Sequence, residues 1–199
     1  MDGKQGPVVL TMATPGASRA ERRAVRPTGV ERTFSPDELI VSKTDARGVI
    51  TYANDVFLRV SGYDLDEVIG QPHNLIRHPD MPRAVFALLW ETLAQRQELF
   101  AYIDNLAADG AHYWVLAHVT PSYGPDGAVV GYHSNRRRPS RAGIAAVKPL
   151  YDQLLTEERR HPTARAAVAA SSELLRRLIA ERAPSYEDFI WSVISEKGD

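Results

Sequence analysis

The sequence has no cysteine in its 199 residues. This absence excludes a disulfide framework, a cysteine nucleophile, a thiolate zinc site and an iron–sulfur cluster. Long apolar runs are absent too, because no stretch reaches the roughly 18 residues that a membrane-spanning helix needs. The Arg22–Arg23 pair is not followed by an apolar segment, so we expect no secretory or twin-arginine signal. Together these absences predict a soluble, cytoplasmic protein without membrane insertion.

An excess of charge of one sign is also missing. The formal net charge is −1, so no overall field favours nucleic acid, and we expect no nucleic-acid partner. The basic run 136–138 is interpreted as the solvated end of a strand, with contact to a partner or to nucleic acid as the alternative. Hydrophobic residues make up 44% of the chain, which is typical of a globular protein with a buried core.

Residues 1–32 differ in composition from the rest of the chain. They are rich in Gly, Pro, Ala, Thr and Arg, they show no apolar period, and they carry a basic excess. Such a segment cannot bury enough apolar surface to fold by itself. We therefore predict a disordered basic tail over residues 1–32.

Residues 33–140 are predicted to form one antiparallel α+β domain. Turn residues at 45–48 separate two short apolar runs, which is typical of a hairpin. An amphipathic helix follows Pro82. Three further strands are predicted at Leu99–Leu106, His112–Ser122 and Val129–Asn135.

Residues 141–199 are predicted to form a C-terminal helical extension. Apolar residues recur at spacings of three and four from Ile144 to Leu155, in a second helix at about 163–182 and in a short third helix at 186–194. Pro149 lies inside the first pattern and predicts a kink or a new helix start. The apolar stripes of residues 144–180 are larger than a solvated helix would expose. We predict that part of them packs on the core of the domain and that the remainder pairs two copies into a homodimer.

Four short motifs carry a resemblance to a known family. They are Ile50–Phe57 (ITYANDVF), Val60–Tyr63 (VSGY), Gly70–Asn74 (GQPHN) and Arg77–Pro82 (RHPDMP). This run closely resembles the PAS sensor domain of bacterial aerotaxis receptors. Trp90, the His112–Val115 segment and Ile144–Tyr151 extend the resemblance to about residues 38–155.

The resemblance implies a PAS fold, which is a five-stranded antiparallel sheet with helices on one face. It also implies a cavity that holds flavin adenine dinucleotide (FAD) and a signalling partner that receives the redox state, such as a chemoreceptor or a component of a kinase complex. The cofactor-binding residues that it implies are Arg77, His78 and Asp80, with Asn54 and Trp90 as additions.

The sequence departs from the family pattern at three places. A tryptophan usual near the start of the third strand is replaced in the Gln97–Phe100 region, around Leu99. A hairpin rich in lysine and arginine is replaced by Asp104–Gly110. No membrane anchor or methyl-accepting module follows, so we do not expect a complete receptor on this chain.

The residue types of the predicted site fit a dinucleotide. Arg77 can clamp a phosphate in a bidentate manner, and Trp90 can flank an aromatic ring. Asp80 can orient Arg77 or His78, or cap the helix that follows. The alternative is an arginine–aspartate pair that only pins a loop. Asn54 is either a helix N-cap or a hydrogen-bond donor to the ligand.

Other functions compete with a flavin sensor. A cofactor-free PAS module used for dimerisation is one alternative, and a small flavin-dependent enzyme is another. His73 and His78, or His112 and His118, suggest a haem-binding PAS gas sensor as a third. The sequence has no metal-ligating helical pair and no catalytic motif, so we expect neither a catalytic metal nor an enzyme.

Overall fold

The computed structural model describes residues 25–195, so the first 24 residues of the predicted tail lie outside the described part. Five strands and six α-helices follow one another, with a short 3-10 helix at His73–Ile76. The elements are β1 (Ile40–Asp45), β2 (Ile50–Ala53), α1 (Asp55–Ser61), α2 (Leu65–Val68), α3 (Arg83–Ala94), β3 (Leu99–Leu106), β4 (His112–Tyr123), β5 (Val129–Arg137), α4 (Arg141–Glu158), α5 (Ala164–Ala180) and α6 (Tyr186–Ser195).

The strands form one antiparallel sheet in the order β2-β1-β5-β4-β3, so the predicted five-stranded fold is confirmed. Side chains alternate between the two faces of a strand. The inner face lies under α3 and the 3-10 helix, and it includes Ile103, Ala117 and Ser134. The outer face includes Tyr102 and Trp114.

Part of the predicted tail is docked on the sheet. The Thr28 amide donates to the Gly110 carbonyl at 2.8 Å, and the Arg32 amide donates to the His112 carbonyl at 2.7 Å. The Arg32 side chain pairs with Asp109 at 2.5 Å. These contacts satisfy backbone groups at the turn between β3 and β4, which is why residues 28–32 are ordered although their composition is tail-like.

The same N-terminal segment also contacts the start of the C-terminal helices. The Glu31 carboxylate lies 2.7 Å from Nη1 of Arg141, the first residue of α4. Both side chains reach the surface, so the pair adds little to the free energy of unfolding. It places residue 31 beside the first turn of α4.

The C-terminal helices pack within the chain. Val147, Leu150 and Leu154 of α4 are buried, as are Leu175 and Ile179 of α5. The Oη of Tyr151 donates to the Tyr102 carbonyl at 2.8 Å, and Trp191 of α6 lies 5.0 Å from the Phe100 ring. The apolar stripes that motivated the dimer prediction are thus covered by β3, β4, α3 and one another.

Pro149 does not break α4, which runs without interruption from Arg141 to Glu158. The predicted new helix start is therefore wrong, whereas the kink stays a prediction. A proline removes the donor for the carbonyl four residues earlier, that of Ala145. Ala145 and Pro149 both lie on the exposed side of α4, where water can satisfy that carbonyl. Among the described residues, no helix combines the length and apolarity needed to cross a membrane.

Gly143 lets α4 approach the sheet closely. A Cβ at this position would lie 2.3 Å from the Oη of Tyr102 and 2.7 Å from its Cζ. Tyr102 is itself 1% exposed and cannot swing into solvent without leaving the core. The absence of a side chain at position 143 is therefore a packing requirement.

We predict that Gly143→Ala lowers the free energy of unfolding by about 1–3 kcal/mol through overpacking, although alanine is the better helix former. Urea unfolding measures the change. Ala146→Gly, on the exposed side of the same helix, is the control and should cost only about 1 kcal/mol in helix propensity. An unchanged or raised urea midpoint for Gly143→Ala would contradict the close approach.

Candidate functional site

A cavity of about 260 Å³ lies between the inner face of the sheet and α3. Its apolar wall comes from α3 and from the middle strands. That wall consists of Phe86, Leu89, Trp90, Leu93, Ile103, Ala117 and Val119. Its polar side comes from β1, β3, β5 and the 3-10 helix. That side includes Ser42, Thr44, His73, Asn105, Ser134 and Arg136.

Buried polar atoms without partners are concentrated in this cavity. Seven buried side-chain atoms of the described residues make no hydrogen bond, and four of them belong to cavity-lining residues. The four are Thr44 Oγ1, Asn105 Nδ2, Ser134 Oγ and Arg136 Nη1. Leaving such an atom unpaired costs about 1–3 kcal/mol, so buried polar atoms are nearly always paired in folded proteins. Their clustering makes the residues that line this cavity candidate partners for a polar ligand.

A buried guanidinium forms the polar end of the cavity. Nη2 of Arg136 lies 2.9 Å from Ser42 Oγ and 2.5 Å from His73 Nε2. Arginine has only donors, so His73 must accept through Nε2 and carry its proton on Nδ1. Burial and the charge of Arg136 lower the pKa of His73 to about 3, and burial lowers the pKa of Arg136 to about 10. At neutral pH the pair is a neutral imidazole beside a cation.

Two of the residues implied by the resemblance line the cavity. Arg77 donates from Nη2 to the Met81 carbonyl at 3.0 Å, and its guanidinium lies 4.1 Å from the centre of the Phe86 ring. Burial lowers the pKa of Arg77. Trp90 is 44% exposed, with its ring edge-on to Tyr132 at 5.4 Å. A cation and a large aromatic ring thus flank the open side.

Asn54 is not in the cavity lining. Its Oδ1 accepts from the amides of Phe57 and Val41, both at 3.0 Å, and its Nδ2 donates to the Leu39 carbonyl at 2.8 Å. The side chain therefore caps α1 and ties it to β1, which is the N-cap alternative. With its amide occupied in this way, a ligand contact by Asn54 stays a prediction that its position does not support.

His78 and Asp80 also lie outside the lining. The His78 ring is buried 5.9 Å from the ring of His112, whose Nδ1 is 3.0 Å from Asp104 Oδ1. The Asp80 side chain is 64% exposed and lies 3.5 Å from Arg159. It does not cap α3 either, because that helix begins at Arg83 and takes its cap from elsewhere. The structure thus separates His78 and Asp80 from Arg77.

Sequence reasoning missed the polar residues that the structure brings together. The predicted last strand stopped at Asn135, so Arg136 was interpreted as a solvated strand end. The strand extends to Arg137, and its alternation places Tyr132, Ser134 and Arg136 on the inner face. Extending the predicted strand by one residue, with the same alternation of faces, would have placed Arg136 on the inner face.

The comparisons with known proteins agree with this architecture. A family model described as PAS fold matches residues 50–136. The aerotaxis receptor of Escherichia coli (strain K12) is 47% identical over 121 residues, which is 61% of this chain and 24% of that protein. A nitrogen fixation regulatory protein of Klebsiella pneumoniae is 38% identical over 97 residues, covering 49% of this chain and 20% of that protein. This chain therefore spans no more than about a quarter of these relatives.

The solved structures share the fold. The structure titled "Flavin Analogue Sheds Light on Light-Oxygen-Voltage Domain Mechanism" superposes with a TM-score of 0.50 at 21% identity. The match covers 58% of this chain and 86% of that one. At this identity the likeness establishes the fold.

We predict that His73 of the ligand-free protein stays neutral down to pH 5. A histidine in the unfolded chain takes up a proton near pH 6.5, whereas folded His73 does so at about 3. Between these values the unfolded state binds more protons, so the free energy of unfolding falls as the pH falls. From pH 6.5 to pH 5 the loss is up to about 2 kcal/mol.

Urea unfolding at pH 7 and pH 5 measures this loss, with His73→Gln as the comparison. Glutamine keeps an acceptor for Arg136 but has no titrating group, so the variant should lose less stability on acidification. NMR titration of the His73 ring provides a direct control. A midpoint near 6.5 in the folded protein would contradict the neutral imidazole.

Proposed function

This chain carries a PAS domain of the aerotaxis-receptor type, and from that premise we propose that it is a sensor whose cavity binds a flavin. The observation that supports this most directly is the group of four unpaired polar atoms in the cavity. The relatives bear the names of signalling proteins, an aerotaxis receptor and a nitrogen fixation regulator. We therefore propose a redox or oxygen sensor, with FAD as the flavin that the motif resemblance implies.

The residues present fit the ring system of a flavin. The edge of an isoalloxazine ring carries carbonyl oxygens and ring nitrogens that need hydrogen-bond partners. Asn105 Nδ2 and Arg136 Nη1 are free donors, and the hydroxyls of Thr44 and Ser134 can donate or accept. Apolar side chains of α3 supply the wall on the other side. The chemistry of the lining therefore matches a flat molecule with a polar edge.

The size of the cavity sets how much of the ligand is enclosed. Pockets for drug-sized ligands measure roughly 300–1,000 Å³. The present cavity, at about 260 Å³, takes part of a dinucleotide and leaves its phosphates toward solvent. Arg77 and Arg47 are the lining cations at hand for those phosphates, and Arg77 is the more buried.

A bound flavin would supply reversible electron exchange, while the protein supplies binding and electrostatics. Arg136 would hold the polar edge of the ring with a charge that does not change between pH 5 and 8. His73 orients Arg136 and adds no second charge, because it stays neutral in that range. A covalent bond to a thiol is excluded within these 199 residues, which include no cysteine.

The output is proposed to be a signal and not a reaction. We propose that the protein is not an enzyme and acts in the cytoplasm on a separate signalling protein, such as a chemoreceptor or a kinase complex. The homodimer stays a prediction. Much of the apolar stripe of residues 144–180 is buried within one chain, which leaves less of it for a partner copy. Sedimentation of the full chain tests whether a dimer forms.

We predict that protein produced with ample riboflavin is yellow and releases one FAD per chain on heating. Absorbance and chromatography of the released chromophore identify it. Colourless protein would favour the cofactor-free alternative, and released haem would favour a gas sensor. Steady substrate-driven turnover of the bound flavin would instead indicate an enzyme.

We predict that Asn105→Leu weakens FAD binding about three- to tenfold, since one hydrogen bond to the ligand is lost. The same change should raise the free energy of unfolding of the ligand-free protein, because it removes an unpaired buried amide. Equilibrium titration and urea unfolding measure the two effects. A variant that lost affinity and stability together would indicate general damage and contradict a role for this amide.

We predict that Arg77→Ala weakens FAD binding about ten- to a hundredfold through loss of a charge-assisted contact. Asp80→Ala is the matched control within the same motif. From the exposed position of Asp80 outside the cavity we expect unchanged affinity. If Asp80→Ala weakened binding as much as Arg77→Ala, the motif and not the cavity lining would define the site.

A further inference from the structure

Helix α3 lies between the cavity and the C-terminal helices. One side of the helix, with Leu89 and Trp90, lines the cavity. The opposite side, with Ala84 and Leu88, faces Leu175 of α5. Any ligand that fills the cavity therefore packs against a helix whose other side holds the C-terminal extension.

The N-terminus of α3 is capped by a residue from α4. Pro82 precedes the helix and offers no side-chain cap. Glu158 Oε1 instead accepts from the amide of Arg83 at 2.6 Å and from that of Ala84 at 3.2 Å. A negative group at a helix N-terminus is stabilising. The cap comes from 75 residues away in sequence, so it exists only while α4 is docked.

The same carboxylate also holds α5. Ser171 of α5 donates its hydroxyl to Glu158 Oε1 at 2.9 Å. The Glu158 side chain is 8% exposed, and Arg83 Nε is 4.0 Å from its Oε2. Three helices therefore meet at one buried carboxylate. A second polar link between α3 and α5, Glu91 with Arg176 at 3.9 Å, lies at the surface and contributes little.

Arg77 joins the cavity to the segment that leads into α3. Its guanidinium contacts the Phe86 ring and donates to the Met81 carbonyl, just before α3 begins. The Ala84 bond of the cap is already 3.2 Å long, at the upper end of the usual range, so a shift of α3 by about 1 Å away from Glu158 would break it. A ligand that contacts Arg77 better when α3 is capped would shift the balance towards the capped arrangement.

We propose that Glu158 couples occupancy of the cavity to the docking of α4 and α5, so that the C-terminal helices report the state of the ligand. The coupling is reciprocal, because a ligand that strengthens the cap must itself bind more weakly once the cap is lost. The inference rests on the proposed function only in using FAD as a probe.

Amide hydrogen exchange of the full chain tests the proposal. FAD should slow exchange in α5, which does not line the cavity, about five- to tenfold, within the range of known couplings. Glu158→Ala should abolish this protection and weaken FAD binding by the same factor. Glu158→Gln retains an acceptor oxygen and should show an intermediate effect, which keeps the test valid if the alanine variant folds poorly.

Glu157→Gln is the matched control. It removes the neighbouring carboxylate, which pairs with Arg160 and His161 at the surface, and should behave like the wild type. Unchanged α5 exchange on FAD binding, or equal effects of Glu157→Gln and Glu158→Gln, would overturn the coupling.

A second experiment tests the coupling without a ligand. Ala117→Leu adds volume on the sheet wall of the cavity and presses on α3 from within. It should change α5 exchange in the wild-type background and leave it unchanged in Glu158→Ala. If FAD fails to bind, the proposed function is wrong, and the Ala117→Leu experiment alone tests the coupling. If Ala117→Leu changes α5 exchange equally with and without the Glu158→Ala substitution, the coupling is overturned.

Discussion

One buried cation, the guanidinium of Arg136, constrains how the elements around it pack. Arg136 is 3% exposed in β5, the central strand of the sheet, and among the described residues no carboxylate pairs with it. Burying an unpaired charge costs several kcal/mol unless neighbouring groups compensate. Ser42 of β1 and His73 of the 3-10 helix provide that compensation, and the Phe57 ring of α1 lies 5.8 Å from the guanidinium carbon. The positions of these three elements depend on satisfying this charge.

The features that could be predicted from sequence are those with local causes. The strands follow from alternation and turns, and the Asn54 cap follows from a polar residue directly before a helix. The motif at 77–82 and its extension to Trp90 pointed to two residues that line the cavity, Arg77 and Trp90, and to two that do not, His78 and Asp80. Each of these signals lies within a few residues of the feature that it predicts.

The features that could not be predicted join distant parts of the chain. The Glu158 cap spans 75 positions, and no local pattern marks it. The docking of residues 28–32 depends on the β3–β4 turn, whereas their own composition is typical of a tail. The apolar stripes of α4 and α5 are real, but a helical stripe indicates only that something covers it. Here the cover is the chain's own sheet and α3.

The contact between Glu31 and Arg141 sets where the chain enters and leaves the domain. It brings the segment that leads into the sheet and the helix that leads out of it to one corner of the molecule. The chain therefore enters and leaves the domain at adjacent positions. The entering segment and the start of α4 are therefore neighbours that no strand separates. A domain boundary drawn at residue 33 would remove Glu31 from Arg141 and would expose to water the β3–β4 backbone groups that residues 28 and 32 now pair.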